Sequence, residues 1–228
     1  MTRARIVLFT LLIATGASVA LLLHNLQKVS ASDFKFRDRA TDFHALSMVD
    51  RGRYTFRFDT FGDQDFWGGT LQLYKAIKGQ KLGGVGPGVD PTTALAVELK
   101  VDQDALPQSV VRALKAGKLN LKDPALTLTL LQLNAVVGLT GFFDHSGNLK
   151  SVGIQCAICH STVDNSLAPG IAHRLDGWAN RDLNVGAIIN LSPDLSSVGK
   201  VLGVDQNTVR TVLISWGPGK FDAELADF

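Results

Sequence analysis

Both cysteines of this 228-residue chain fall within one short stretch, Gln155-Cys156-Ala157-Ile158-Cys159-His160. That C-x-x-C-H spacing is the strongest constraint in the sequence, because it is the pattern for covalent haem attachment. Two thiols three residues apart match the two vinyl groups on one edge of a porphyrin, and the next residue can place an imidazole nitrogen on the iron. Two cysteines scattered at random would fall three apart with His next in roughly one arrangement in 5,000. Three other uses of the pair stay open. Zinc would need two further ligands, and no His/Cys pair with ligand spacing follows. A thioredoxin-like redox pair would need a βαβ frame with the motif opening a helix. A disulfide between residues so close in sequence would close too small a loop to stabilise much.

The N-terminus sets the expected compartment. Arg3 and Arg5 precede an apolar run from Ile6 to Leu23 that holds nothing more polar than Thr10, Thr15 and Ser18. The run lies between the length of a secretory apolar region and that of a membrane span. Residues 1–31 are therefore read as a signal peptide, with Val29-Ser30-Ala31 as the cleavage site, or as a retained membrane anchor. Both readings put the body of the chain outside the cytoplasm, which for a bacterial chain is the periplasm. Without these 31 residues the chain has twenty basic and twenty-one acidic side chains. A near-neutral body lacks the basic surplus expected of a nucleic-acid binder.

Residues 32–53 are polar and charged and read as a tether. An accessory region over 54–121 and a haem domain over 122–228 are expected to follow. Tyr54, Phe56 and Phe58 alternate with Thr55, Arg57 and Asp59, which predicts a half-buried strand over 54–61. A short helix is expected from Phe66 to Ile77, then a Gly-rich loop from Lys78 to Pro91 with no phosphate-binding fingerprint. Further helices are expected over Pro107–Ala116, over 124–137 with Asp123 as N-cap, and over Asp205–Trp216 before Gly217-Pro218. Leu139–Ile154 reads as a β-hairpin around His145-Ser146-Gly147-Asn148.

The sequence resembles c-type cytochromes. The resemblance is to a bacterial mono- or di-haem family distantly related to di-haem peroxidases. It is carried by Phe56-Arg57-Phe58-Asp59-Thr60-Phe61-Gly62, by Cys156 to Asp164, by Arg174-Leu175-Asp176-Gly177-Trp178 and by Asn180 to Gly186. It implies one haem c, electron transfer with redox partner proteins, and a mostly α cytochrome c-like domain with a small β contribution. The family runs further and can hold a second haem motif. This chain has one, so a fragment of a longer di-haem protein is among the expectations.

His160 is the expected axial ligand. The sixth position is open in the sequence. The only methionines are Met1 and Met48, so the usual downstream Met is excluded. His173, thirteen residues past His160 and after Pro169-Gly170, is the leading candidate within the chain, ahead of Met48, His44 and His145; an open or water-filled site, or a ligand from a missing or partner segment, is the other alternative. Arg174, Trp178 and Arg181 are candidate contacts for the haem propionates. An electron carrier is favoured over a peroxidase-like enzyme with an open iron position, and over a thiol–disulfide protein.

Overall fold

The computed structural model describes residues 37–220, which belong to two compact units, Met1–Arg53 and Tyr54–Phe228. The apolar run at 6–23 lies outside the described residues. Among those described, no helix is long and apolar enough to cross a membrane.

In the first unit residues 37–53 are helical and exposed along their whole length, so the stretch read as a tether has regular structure. Arg53 pairs with Asp50 at 3.2 Å, three residues back on the same helical surface.

In the second unit residues 54–58 are also helical (α1), which corrects the strand expected over 54–61. The aromatic spacing suits a helix equally well. Tyr54 and Phe58 stand four apart, and their ring centroids meet at 5.3 Å. Tyr54 is 68% exposed, so these rings do not form a buried sheet face. The chain then turns: the Asp59 carboxylate accepts from the Phe61 amide at 2.8 Å, and Phe61 sits at φ 52°.

The single helix expected over 66–77 is two pieces, a π-helical turn Asp65–Thr70 and α2 (Leu73–Lys78). Gln72, at φ 52°, separates them. Gly68 explains the first piece. It packs so closely on β4, introduced below, that a Cβ there would lie 1.6 Å from Ser151 Oγ. The Gly-rich stretch after Lys78 is a loop with one 3-10 turn, Gln80–Leu82.

Next come α3 (Pro91–Ala96), β1 (Lys100–Asp102), a 3-10 turn Gln103–Ala105, α4 (Gln108–Lys115) and α5 (Pro124–Gln132). Asp123 caps α5 as its sequence suggests, accepting from the Ala125 amide at 2.9 Å. The helix stops at Leu133, short of Val137, because Asn134 takes φ 52°. Val136–Val137 become β2 instead and pair antiparallel with β1.

The hairpin of β3 (Leu139–Phe143) and β4 (Leu149–Ile154) forms as expected. Gly141 is a strand residue within β3. A one-turn helix α6 (Ala157–His160) follows, then β5 (Ser161–Val163), β6 (Ile171–Ala172) and β7 (Arg174–Asp176). β6 pairs parallel with β1, and β5 pairs antiparallel with β7. Helices α7 (Val185–Asn190), α8 (Ser196–Leu202) and α9 (Gln206–Trp216) close the described chain, with Asp205 capping α9.

The described residues are mostly helical with a minor β component, and the second unit has one core. Its core gathers Leu71, Leu131, Leu149, Val152, Leu195 and Leu213. Residues on either side of position 121 share that core. They also share a sheet, since β1 lies between β2 and β6.

Candidate functional site

The C-x-x-C-H residues form α6 and its N-cap. Cys156 caps the turn with helical dihedrals (φ −52°, ψ −28°). Ala157 and Ile158 face the core and are 0% and 8% exposed, whereas Cys156 and His160 are exposed and Cys159 is half-buried. On a helical turn the first, fourth and fifth residues share one face. The two middle residues thus anchor the turn and leave both thiols and the imidazole together on its outer side. The thiols are free, not joined as a disulfide. Burial, helped by the neighbouring Cys156, pushes the Cys159 thiol up from its ordinary value.

The turn is held upstream by neutral groups on Gln155, with one carboxyl, Asp63, a residue further back. Gln155 is buried and exchanges bonds with Gly138: its amide donates to the Gly138 carbonyl at 3.0 Å, and its side-chain oxygen accepts from the Gly138 amide at 3.2 Å. Gln155 Nε2 donates to Thr140 Oγ1 at 2.9 Å, and that hydroxyl donates to the Phe58 carbonyl at 3.1 Å. Gly138 must be glycine. Its φ is +88°, and a Cβ would lie 2.4 Å from the Ile158 Cα. One residue before Gln155, the Ile154 amide donates to Asp63, which also accepts from Trp67 Nε1 at 3.0 Å.

Downstream, two backbone bonds hold the turn and a charged network holds the ribbon that supplies them. The Asn180 amide donates to the Cys159 carbonyl at 2.9 Å, and the Gly177 amide donates to the His160 carbonyl at 2.8 Å. Ser161, fully buried, pairs in register with Asp176 and donates to its Oδ1 at 2.8 Å. Arg174 Nε donates to the same oxygen and Arg57 Nε to Oδ2, both at 2.6 Å. Burial works to raise the Asp176 carboxyl, but the Arg57 and Ser161 hydrogen bonds and the two guanidinium charges hold it below the ordinary range. Asp102 on β1 is buried, and desolvation pushes its carboxyl up.

The structure brings Cys156, Cys159 and His160 onto one turn and sets Arg174 in the adjoining ribbon, in register with Val163 and within reach of Ser161 Oγ. Arg174 is no rim residue: its side chain is only 3% exposed. Trp178 and Arg181 are exposed, on the loop whose Gly177 and Asn180 amides hold the turn. His173 lies at the opposite end of the β5–β7 ribbon from His160, where its carbonyl accepts from the Asp164 amide. Its ring is engaged on both sides, Nδ1 with Asp104 at 2.9 Å and Nε2 with the Gln103 side-chain amide. His145 is exposed on the hairpin turn. Met48 and His44 belong to the first compact unit.

Arg57, Asp176 and Gln155 were not among the residues singled out from sequence. Asp176 sits inside the Arg174–Trp178 stretch, which was the available signal. Arg57 was assigned to the solvent side of a strand that does not form.

Among the described residues no group of three or more His, Cys, Asp or Glu could hold a metal ion directly. The donor set on α6, an exposed thiol, a half-buried thiol and an exposed imidazole, fits a group that brings its own ring nitrogens to the metal. Comparison with family models, with curated proteins and with solved structures gave no match.

Proposed function

We propose that this chain is an exported c-type haem protein that passes electrons to redox partner proteins. The observation that carries the reading is α6: Ala157 and Ile158 are buried, and the first, fourth and fifth positions of the turn are Cys156, exposed, Cys159, half-buried, and His160, exposed. Cys156 and Cys159 would hold the porphyrin edge through thioethers and His160 would bind the iron. Haem, when bound, supplies one-electron redox chemistry. The chain's own contribution is to keep the three groups on one turn, seated on Gly138 and tied at both ends. Arg174 is proposed to serve the propionates, with Trp178 and Arg181 on the adjoining loop. The basic, then apolar N-terminus supports export to the periplasm, with a membrane tether where it is retained.

Single Cys156→Ser and Cys159→Ser variants, made in a host with haem-attachment machinery, test the assignment. Each should keep at most one thioether, seen as a shifted absorption band of the pyridine complex. A variant with the same band as wild type contradicts the role given to that cysteine.

A second reading is a haem enzyme with an open iron position. One observation favours it: the first histidine downstream, His173, already has both ring nitrogens engaged. A high-spin, ligand-binding spectrum supports the enzyme, and a low-spin spectrum indifferent to peroxide supports the carrier.

A further inference from the structure

Within the second unit lies a cavity of about 50 Å³, walled by α2, α3, α5, α7 and strands β1 to β4. Its wall is apolar: Leu130, Val136, Val152 and Ile188, all buried, are typical of it. Two lining side chains carry polar atoms, Lys100 and Thr127. Lys100 is engaged. Its ammonium pairs with Glu98, which leaves its methylene stem for the wall. Thr127, on α5, is not engaged. It is 5% exposed, and its Oγ1 has no hydrogen-bond partner among the described residues.

The open hydroxyl is out of keeping with its helix. Thr129, two residues on and exposed, folds its hydroxyl back to the Ala125 carbonyl at 3.1 Å. Thr127 leaves the equivalent bond unmade. A buried hydroxyl with no partner is destabilising, and valine would fill much the same volume without that cost. Among the described residues one other buried side-chain polar atom lacks a partner, Ser197 Oγ, and Ser197 does not line the cavity.

The size and polarity of the wall select an occupant. A buried water needs about two to four polar partners, and this wall offers one that is free. An ion would be stranded in it. An apolar cavity of about 150 Å³ takes benzene, so about a third of that volume suits a molecule on the order of three heavy atoms.

We propose that this cavity binds a gas-sized, uncharged molecule, apolar except for one acceptor atom that takes a hydrogen bond from Thr127. Dioxygen and nitric oxide belong to this class. The cavity also adjoins the strand that leads to the motif. Leu139 and Ile154, paired in register, both stand in its wall, and Ile154 lies two residues before Cys156. The inference is independent of the haem reading, since no lining residue belongs to the C-x-x-C-H turn.

The test uses the full chain, produced with haem-attachment machinery and labelled at its leucine, valine and isoleucine methyls. It is titrated with xenon, which reports the space, and with acetonitrile, an uncharged molecule of three heavy atoms with one acceptor nitrogen. With both probes the methyl signals of Leu130, Val136, Val152 and Ile188 should shift and saturate. Those of Leu195 and Leu213, core residues that do not line the cavity, should stay in place. Thr127→Val should keep the xenon response and weaken acetonitrile binding by about fivefold, the loss of one neutral hydrogen bond. Wild-type protein with no saturating response at the lining methyls overturns the site. Xenon binding without acetonitrile binding in the wild type overturns the ligand class. Acetonitrile binding undiminished in folded Thr127→Val, or xenon binding lost from it, overturns the role of the hydroxyl. If that variant does not fold, the nitrile infrared band of the wild-type complex decides. A band above its position in hydrocarbon, as a donated hydrogen bond produces, supports the proposal, and a band at the hydrocarbon position overturns it. A chain that takes up no haem can still pass this test, so the two readings fail separately.

Discussion

The two ends of the C-x-x-C-H turn are fastened by different chemistry. Upstream, Gln155, Gly138 and Thr140 form a buried relay of neutral amides and a hydroxyl. Downstream, Ser161, Asp176, Arg174 and Arg57 form a network with formal charges. A neutral relay fixes position at any pH and is indifferent to the charge of what binds nearby. A charged network costs more to bury and responds to pH, salt and a neighbouring anion. The turn is thus tied by neutral groups at Gln155, where the chain enters it, and adjoins a charge network where the chain leaves.

The largest effect is expected from Asp176→Ala. It strands Arg174, a nearly inaccessible cation, without its carboxylate, and should cost about 3 kcal/mol of stability in urea denaturation. A loss no larger than that of an exposed ion pair would mean that solvent already screens the network. Gln155→Ala should cost less, about 2 kcal/mol, because it leaves neutral groups such as the Gly138 amide unsatisfied. Its cost should not vary with pH.

Acid titration sharpens the contrast. The Asp176 carboxyl lies below its ordinary value of 3.8 in the folded chain. Its contribution is complete above that value and is lost as pH falls through the lower folded one. Replacing Asp176 by Asn should flatten that part of the stability profile, whereas Gln155→Ala should shift the whole profile without changing its slope. Equal slopes in all three proteins would erase the distinction between the two ends.

The smallest effect is expected at His173. Its hydrogen bond with Asp104 raises the imidazole above its ordinary value, so this link is complete below the unfolded value and weakens as pH rises through the folded one. With its ring so engaged, His173→Ala should leave the haem spectrum of the loaded protein unchanged. A switch to a high-spin spectrum would instead give His173 the sixth position on the iron.

How much of this was legible in the sequence depended on how local each signal is. Asp123-Pro124 and Asp205 announce helix starts because the cap bonds span two or three residues. The 139–154 hairpin was legible from its turn, where Asp144 accepts from the Ser146 and Asn148 amides. The Tyr54–Phe58 stretch misled because aromatics at every second residue also satisfy a four-residue helical spacing. The end of α5 was missed because Asn134 turns left-handed while apolar residues continue on both sides of it. Strands of two or three residues, such as β2 and β6, are too short to show alternation. The same rule governs the site. Cys156, Cys159 and His160 are read at sight because they are contiguous, but Arg57 meets Asp176 across 119 positions, which no local pattern encodes.

The central claim is that α6 holds haem covalently, and one measurement reaches it directly. The full chain is produced with haem-attachment machinery, purified under denaturing conditions, and examined by intact mass and absorption together. The account predicts a mass increased by one haem, with the haem absorption retained after denaturation. A colourless chain at its unmodified mass, with both thiols still titratable, would contradict it.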